Sequence, residues 1–374
     1  MQTKRVVFIA LETFSLLGGA QNFNRRLIRT LAAYAGQHSY AIPIVLILRD
    51  KSEDIPQIAG IRLIAAGSRL QIIWFLLREL VKGIDLLLVG QINLAPLALL
   101  ARCIQPSLRT LLIVHGIEVW DAPQHRPKRL MDTISLIAID RIASVSRYTA
   151  NMMSTAYGIP TNQFCFLPNA IDITPQLSAS RQRAGRPTIL AVSRLGTGDE
   201  EKHLDKVIRG VALLKDKLPE IVCEIVGDGP LRSGLEQLAR ELDVANAVLF
   251  RGRLSDEEKE KAYNRAWAFV LPSSKEGFGI VYLEAWLHRL PVICSTKGAA
   301  PEVVTDGADG FVVDPDNISA LADAMFRLLI DEDISRSFGE NGLTKVLRHY
   351  SQSNFSKNLE AILDDALKVE KSTF

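Results

Sequence analysis

Two glutamates eight positions apart, Glu276 and Glu284, bracket the apolar run EGFGIVYLEAW (276–286). Gly277 and Gly279 flank Phe278 at its start, a pattern that can present backbone N–H groups to an anion where a helix begins. Glu276 could equally be first-turn acidic decoration of that helix. Glu284 stands among Val281, Leu283, Ala285 and Trp286, where a carboxylate needs donors, and sugar hydroxyls are good ones. In SRLGTGDEEKHLDKVI (193–208), Arg194 and Lys202 could converge on one anion at a helix N-terminus. The same segment also reads as a solvated loop in which Asp199, Glu200 and Glu201 neutralise both cations.

Two weaker signals lie earlier. Gly18 and Gly19 in SLLGGAQNF (15–23) could let backbone N–H groups approach a phosphate, or could mark a tight turn. His115 in IVHGIEVW (113–120) ends an apolar run with Glu118 close behind, and a lone histidine there is usually structural.

The elements that must position these residues alternate regularly. Runs at 5–11, 41–48, 85–90, 110–116 and 141–146 read as buried parallel strands, with helical patterns such as NFNRRLIRTLAAYA (22–35) between several of them. The polar stretch ITPQLSASRQRAGRPT (173–188) breaks the pattern, which then restarts with strands at 188–195, 223–230, 247–253, 268–274, 291–296 and 310–315. The expectation is α/β, two doubly wound parallel-sheet units with ligand groups at the carboxyl ends of the strands.

Composition limits the functions. The chain has 374 residues, 48 % hydrophobic and 23 % charged, which suits two folded domains. Its four cysteines, Cys103, Cys165, Cys223 and Cys294, are dispersed, which argues against zinc and disulfides and fits a reduced, cytoplasmic setting. Lys4 and Arg5 precede an apolar run that Glu12 interrupts, so it reads as a first strand and not as a signal peptide. Asp85, Gln91, Asn93 and Pro96 make residues 84–101 a poor membrane span. The net charge of +2 hides an asymmetry: residues 1–170 carry 18 Lys+Arg against 10 Asp+Glu, the rest 26 against 32. The basic half is a candidate for facing an anionic membrane; with no basic stripe interleaved with aromatics, nucleic acid is not expected.

Taken in order, GGA near the start, HG at 115, PNAID (168–172), SRL with EK (193–202), VGDGP (226–230), EGFG to LEA and GFVVDP resemble the retaining, nucleotide-sugar-dependent glycosyltransferases of family 4, which have the GT-B fold. That resemblance implies two Rossmann-like domains with an interdomain cleft. Residues 1–172 would bind the acceptor, 173–187 link the domains, and 188–349 bind the nucleotide sugar. Residues 350–374 would form a helix crossing back to the first domain. Arg194 and Lys202 would bind the donor diphosphate, Glu276 the transferred sugar, Glu284 the ribose, and the N–H groups around Gly277, Phe278 and Gly279 the phosphates. His115 would lie over the donor sugar, and Gly18 and Gly19 would close the phosphate site. No metal or other cofactor is implied. Ser193 where glycine is usual, Gln21 for a frequent glutamate, and His203 where glycine commonly follows EK are departures; the last puts the local loop shape in question.

The implied activity moves a hexose-type sugar from a UDP- or GDP-sugar to a glycan or lipid-linked glycan, in bacterial polysaccharide or glycolipid assembly. A GT-B-type epimerase and a non-catalytic nucleotide-sugar binder are the alternatives. For the membrane, SRLQIIWFLLRELVKG (68–83) combines Trp74, Phe75 and aliphatics with Arg69, Arg78 and Lys82, and HRPKRL (125–130) adds more basic groups. This pattern fits peripheral attachment at the inner face of the membrane, or an ordinary buried helix with snorkelling ends.

Overall fold

The computed structural model describes residues 3–16, 18–119, 129–173 and 183–368. Most of the break expected at 173–187, and four residues of HRPKRL, lie outside these. Two compact units emerge among the described residues. One gathers the chain to residue 119, residues 129–170 and the C-terminal helix; the other is Ile171–Ser351.

In the first unit the apolar runs become β1 (Val6–Ala10), β2 (Ile44–Ile47), β3 (Arg62–Ala65), β4 (Leu86–Val89), β5 (Arg109–Val114), β6 (Arg141–Ser144) and β7 (Phe164–Phe166). They form one parallel sheet in the order β3-β2-β1-β4-β5-β6-β7. Chain direction across the sheet reverses between β1 and β4, where loops part and leave a crevice at the carboxyl ends. Helices α1 (Gly19–Gln37), α2 (Arg69–Val81), α3 (Ala95–Ile104), α4 (Leu130–Leu136) and α5 (Arg147–Tyr157) connect the strands. Alternate strand residues Val7, Ile9, Leu87, Val89, Leu112 and Val114 join Ile72, Leu76, Leu80, Ala98 and Leu136 of the helices in one buried cluster.

The second unit repeats the plan. Its strands are β8 (Thr188–Val192), β9 (Val222–Val226), β10 (Val248–Gly252), β11 (Ala268–Leu271), β12 (Val292–Ser295) and β13 (Gly310–Val313). Their order, β10-β9-β8-β11-β12-β13, is again parallel throughout and puts the reversal between β8 and β11. Its helices are α6 (Leu204–Leu214), α7 (Arg232–Glu241), α8 (Asp256–Arg265), α9 (Ile280–Leu287), α10 (Ala300–Val303), α11 (Ile318–Ile330) and α12 (Glu332–His349).

The last helix, α13 (Gln352–Lys368), belongs to the first unit and packs on α1. Tyr34 donates to Asp364 at 2.7 Å, Thr30 and Ser356 share a hydrogen bond at 2.9 Å, and Arg141 pairs with Asp365 at 2.9 Å. Strands β3 and β7 are absent from the sequence expectation. Both are edge strands, β3 opening on exposed Arg62 and β7 only three residues long, so neither carries the fully apolar run that marks a central strand.

Candidate active site

In the second unit the candidate residues collect where β8 and β11 end. The turn after β8 is tied to the turn after β9: Ser193 N–H donates to Val226 O at 3.0 Å, and Leu231 N–H to Leu195 O at 3.0 Å. This contact explains the two glycines of VGDGP. A Cβ on Gly227 would sit 1.8 Å from Ser193 O, and one on Gly229 2.3 Å from Leu195 O. The backbone can approach Arg194 from beneath only without side chains there.

The segment 201–203 then interlocks with 274–276. Ser274 N–H donates to Glu201 O at 2.9 Å, Lys275 Nζ pairs with Glu201 at 3.1 Å, and His203 Nε2 and Ser274 Oγ share a hydrogen bond at 2.6 Å. Lys202 Nζ completes the clasp, 2.6 Å from Glu276 Oε1 and 3.3 Å from Lys275 O. His203 adopts the left-handed backbone (φ 57°) that glycine takes more cheaply, at a cost of about 1 kcal/mol that the bond to Ser274 offsets. The histidine therefore keeps the turn that its replacement of glycine put in question. Burial also lowers its pKa.

Arg194 remains apart from this clasp. Its side chain is 79 % exposed, and among the described residues its ion pair is a loose one, 3.4 Å to Asp199. Asp199 is occupied in shaping the loop, since it also accepts Gly196 N–H at 3.1 Å. An exposed guanidinium with a single loose partner suits an incoming anion.

Gly279 caps α9 in the left-handed region (φ 93°), and a Cβ there would strike the Tyr282 ring at 2.5 Å. Gly277 and Phe278 are buried beside it, with Phe278 edge-on to Tyr350. At the start of α9 Tyr282 N–H donates to Gly279 O at 3.1 Å, and the N–H groups ahead of it lie in the first turn, where an α-helix supplies no intrahelical acceptor. Glu284, one turn and more along α9, is half-buried and already has donors: Tyr263 Oη at 2.8 Å and Lys259 Nζ at 3.4 Å, both from α8. Its apolar neighbours hide this, because the partners lie 21 and 25 residues earlier in sequence.

The remaining candidates lie in the first unit. Gly18 is extended (φ 172°), a conformation open to any residue, and a Cβ there would meet only the movable end of Gln21. The turn therefore does not require glycine at 18 on conformational grounds. Gly19 begins α1. The preceding loop is held from both sides: Asp50 accepts N–H groups of Thr13 at 2.9 Å and Phe14 at 2.6 Å, while Arg25 donates to the carbonyls of Thr13 at 2.9 Å, Phe14 at 3.2 Å and Leu16 at 2.9 Å. Neither clamp residue carries a sequence signal.

His115 follows β5, with its own N–H and that of Gly116 donating to Glu118 at 3.0 and 2.8 Å. Phe23 of α1 lies edge-on to its ring at 4.9 Å, and Phe355 of α13 edge-on to Phe23 at 5.1 Å. Burial pushes the imidazole down to about 4, so it is neutral near pH 7, and its Nε2 has no hydrogen-bond partner among the described residues.

The sequence model of Glycosyltransferase Family 4 matches residues 17–174, and that of Glycosyl transferases group 1 matches 173–345. The GDP-mannose-dependent alpha-(1-6)-phosphatidylinositol monomannoside mannosyltransferase of Mycobacterium tuberculosis is 30 % identical over 347 residues, 85 % of this chain and 88 % of that one. The enzyme of the same name from Mycolicibacterium smegmatis is 32 % identical over 279 residues, 70 % of each chain. Sucrose-phosphate synthase from Thermosynechococcus elongatus shares the fold, with a TM-score of 0.77 at 20 % identity over 97 % of this chain and 98 % of that one. With two doubly wound parallel sheets and these likenesses, the chain belongs to the family 4 glycosyltransferases of group 1 type and has the GT-B fold.

Proposed function

We propose that the protein moves a mannose-type hexose from a GDP-sugar to a phosphoinositol-headed glycolipid, with retention and without a metal ion, at the inner face of a bacterial membrane. The likeness to two mycobacterial enzymes named for GDP-mannose and phosphatidylinositol monomannoside carries the choice of donor and acceptor class.

In this reading Arg194 and Lys202 hold the diphosphate and offset the charge that grows on it as the glycosidic bond breaks. Glu276 keeps Oε1 on Lys202 and offers its second oxygen to hydroxyls of the transferred sugar. N–H groups around Phe278 and Gly279 meet the phosphates at the start of α9. Glu284 accepts the ribose hydroxyls while Tyr263 and Lys259 orient it. Gly18 and Gly19 leave room for phosphate, and the Nε2 of neutral His115, without a partner among the described residues, serves a hydroxyl of the sugar.

The acceptor hydroxyl attacks the anomeric carbon on the face that the diphosphate leaves. The breaking C–O bond gives its electron pair to the phosphate oxygen, which takes the hydroxyl proton. Two side-chain cations and a helix start do the work that a metal does in other transferases.

Incubation with GDP-mannose, UDP-glucose or ADP-glucose and a phosphoinositol glycolipid tests the reading. The expected product forms with GDP-mannose alone, is α-linked by NMR and persists in EDTA. Turnover of donor without acceptor, a preference for UDP-glucose, or loss of transfer in EDTA would each overturn the corresponding part.

A further inference from the structure

Two short segments outside the sheet and the long helices carry the charged candidates of the second unit. Lys202 closes a single 3-10 turn (Glu200–Lys202), and residues 272–279 form neither strand nor helix. A regular element therefore does not set the place of Lys202 and Glu276, and bonds between the two segments have to do so.

These bonds form a crossed pattern. One segment reads Glu201-Lys202 and the other Lys275-Glu276, and each charge meets its opposite across the gap: Lys202 with Glu276 at 2.6 Å, Lys275 with Glu201 at 3.1 Å. The backbone of Lys275 lies between the two pairs. Its carbonyl accepts from Lys202 Nζ at 3.3 Å and its N–H donates to Ser273 Oγ at 3.2 Å. Glu276 is held from its far side as well, where its carbonyl accepts Ala299 N–H at 3.0 Å.

Stability alone does not account for a lysine at 275. Its side chain is 7 % exposed, whereas that of Glu201 is 52 % exposed. Taking an ammonium out of water costs several kcal/mol, which a half-solvated carboxylate offsets poorly, so an apolar side chain of similar length would hold the loop at least as well. Apolar packing, however, has no direction. An ion pair binds one particular group across the gap, and this one does so at the position next to Lys202 and Glu276.

We propose that Lys275 is a positioning residue: paired with Glu201, it sets the separation of the two segments and so holds Lys202 and Glu276 in the arrangement that receives the donor. This deepens the function proposed above and rests on it for the reaction that the pair serves.

Two measurements test the role. The first needs neither donor nor acceptor: the interaction between Lys202→Met and Glu276→Gln, taken from urea unfolding of the single and double variants, should fall to roughly half or less when Lys275→Met is added to all of them. A lysine that only fills space would leave that interaction unchanged. The second is transfer from GDP-mannose. Lys275→Met should keep the wild-type melting temperature, because the carboxylate left behind reaches water, yet lower kcat about tenfold with a much smaller change in KM. Glu201→Gln should lower kcat equally and also lower the melting temperature, since it leaves the buried ammonium facing a neutral group. Combining Glu201→Gln with Lys275→Met should recover the melting temperature but not kcat. An unchanged interaction between Lys202 and Glu276, wild-type kcat in Lys275→Met, or a combined variant that recovers kcat together with its melting temperature would overturn the proposal. Should Lys275→Met not fold, Glu201→Gln in the same unfolding cycle decides. If wild type transfers no sugar, the transferase reading fails while the unfolding cycle still decides the role of Lys275.

Discussion

Lys202 and Glu276 meet at 2.6 Å, with side chains 14 and 12 % exposed, so each is the other's main charge partner near the switch point of the second sheet. The pair is mostly shielded from water, and losing one member strands the other. Lys202→Ala or Glu276→Ala should each cost about 3 kcal/mol of stability, with the double variant costing less than their sum. Each should also lower transfer by roughly a hundredfold, the usual loss for one transition-state contact. Urea unfolding and kcat/KM check the two effects separately. Additive stabilities in the cycle would show that the pair does not act as a unit.

The position of α9 depends on a glycine far away in sequence. Trp286 is fully buried, donates to Asp309 O at 3.0 Å, and lies against Gly342 of α12 so closely that a Cβ would sit 2.0 Å from its ring. Gly342→Ala should therefore destabilise the second unit by about 1–3 kcal/mol through overpacking. Because α9 carries Glu284 and starts at Gly279, the affinity for a nucleotide sugar should fall too. Calorimetry and nucleotide titration of this variant measure both.

His115 and His203 share a pH consequence. Both are held below the ordinary imidazole value of 6.5 by burial, His115 to about 4. Above about pH 6.5 neither contributes to the pH dependence of stability, because folded and unfolded forms are both neutral. As pH falls below that value the unfolded chain binds protons first, so stability is lost progressively until the folded value is passed. For half-buried His115 the loss is at most roughly 3 kcal/mol between pH 6.5 and 4. His115→Asn should flatten this decline in a series of melting temperatures from pH 7 to 4, and an unchanged slope would place the acid sensitivity elsewhere.

Much of this was legible because central strands of parallel sheets are apolar along their whole length. LLLV of β4 and AFVL of β11 need no alternation to be recognised. The charged candidates stand out for a related reason, since Arg194 and Glu276 follow closely on such strands. What stayed hidden depends on distant pairing. Tyr263 and Lys259 reach Glu284 from α8, Asp50 reaches Thr13 from the end of β2, and Gly342 receives Trp286 from α9. Helix α4 stayed hidden for another reason: only the fold shows that Leu130, Met131 and Ile134 point outward.

The loop before α1 allows fold and function to be separated. Asp50 is 2 % exposed and accepts N–H groups of Thr13 and Phe14, so Asp50→Ala leaves buried donors unpaired and should cost about 2 kcal/mol or more. Gly18 is different. Its extended backbone admits any residue, and an added methyl meets only the flexible end of Gln21, so Gly18→Ala should leave the melting temperature within about 1 °C of wild type, the range of a neutral surface change. If Gly18 leaves room for the donor's phosphate, that methyl occupies the space instead, and KM for the nucleotide sugar should rise roughly tenfold with little change in kcat, as expected when uniform binding is lost. Steady-state kinetics on a stable Gly18→Ala protein decides the point. An unchanged KM would mean that Gly18 serves neither the turn nor the donor.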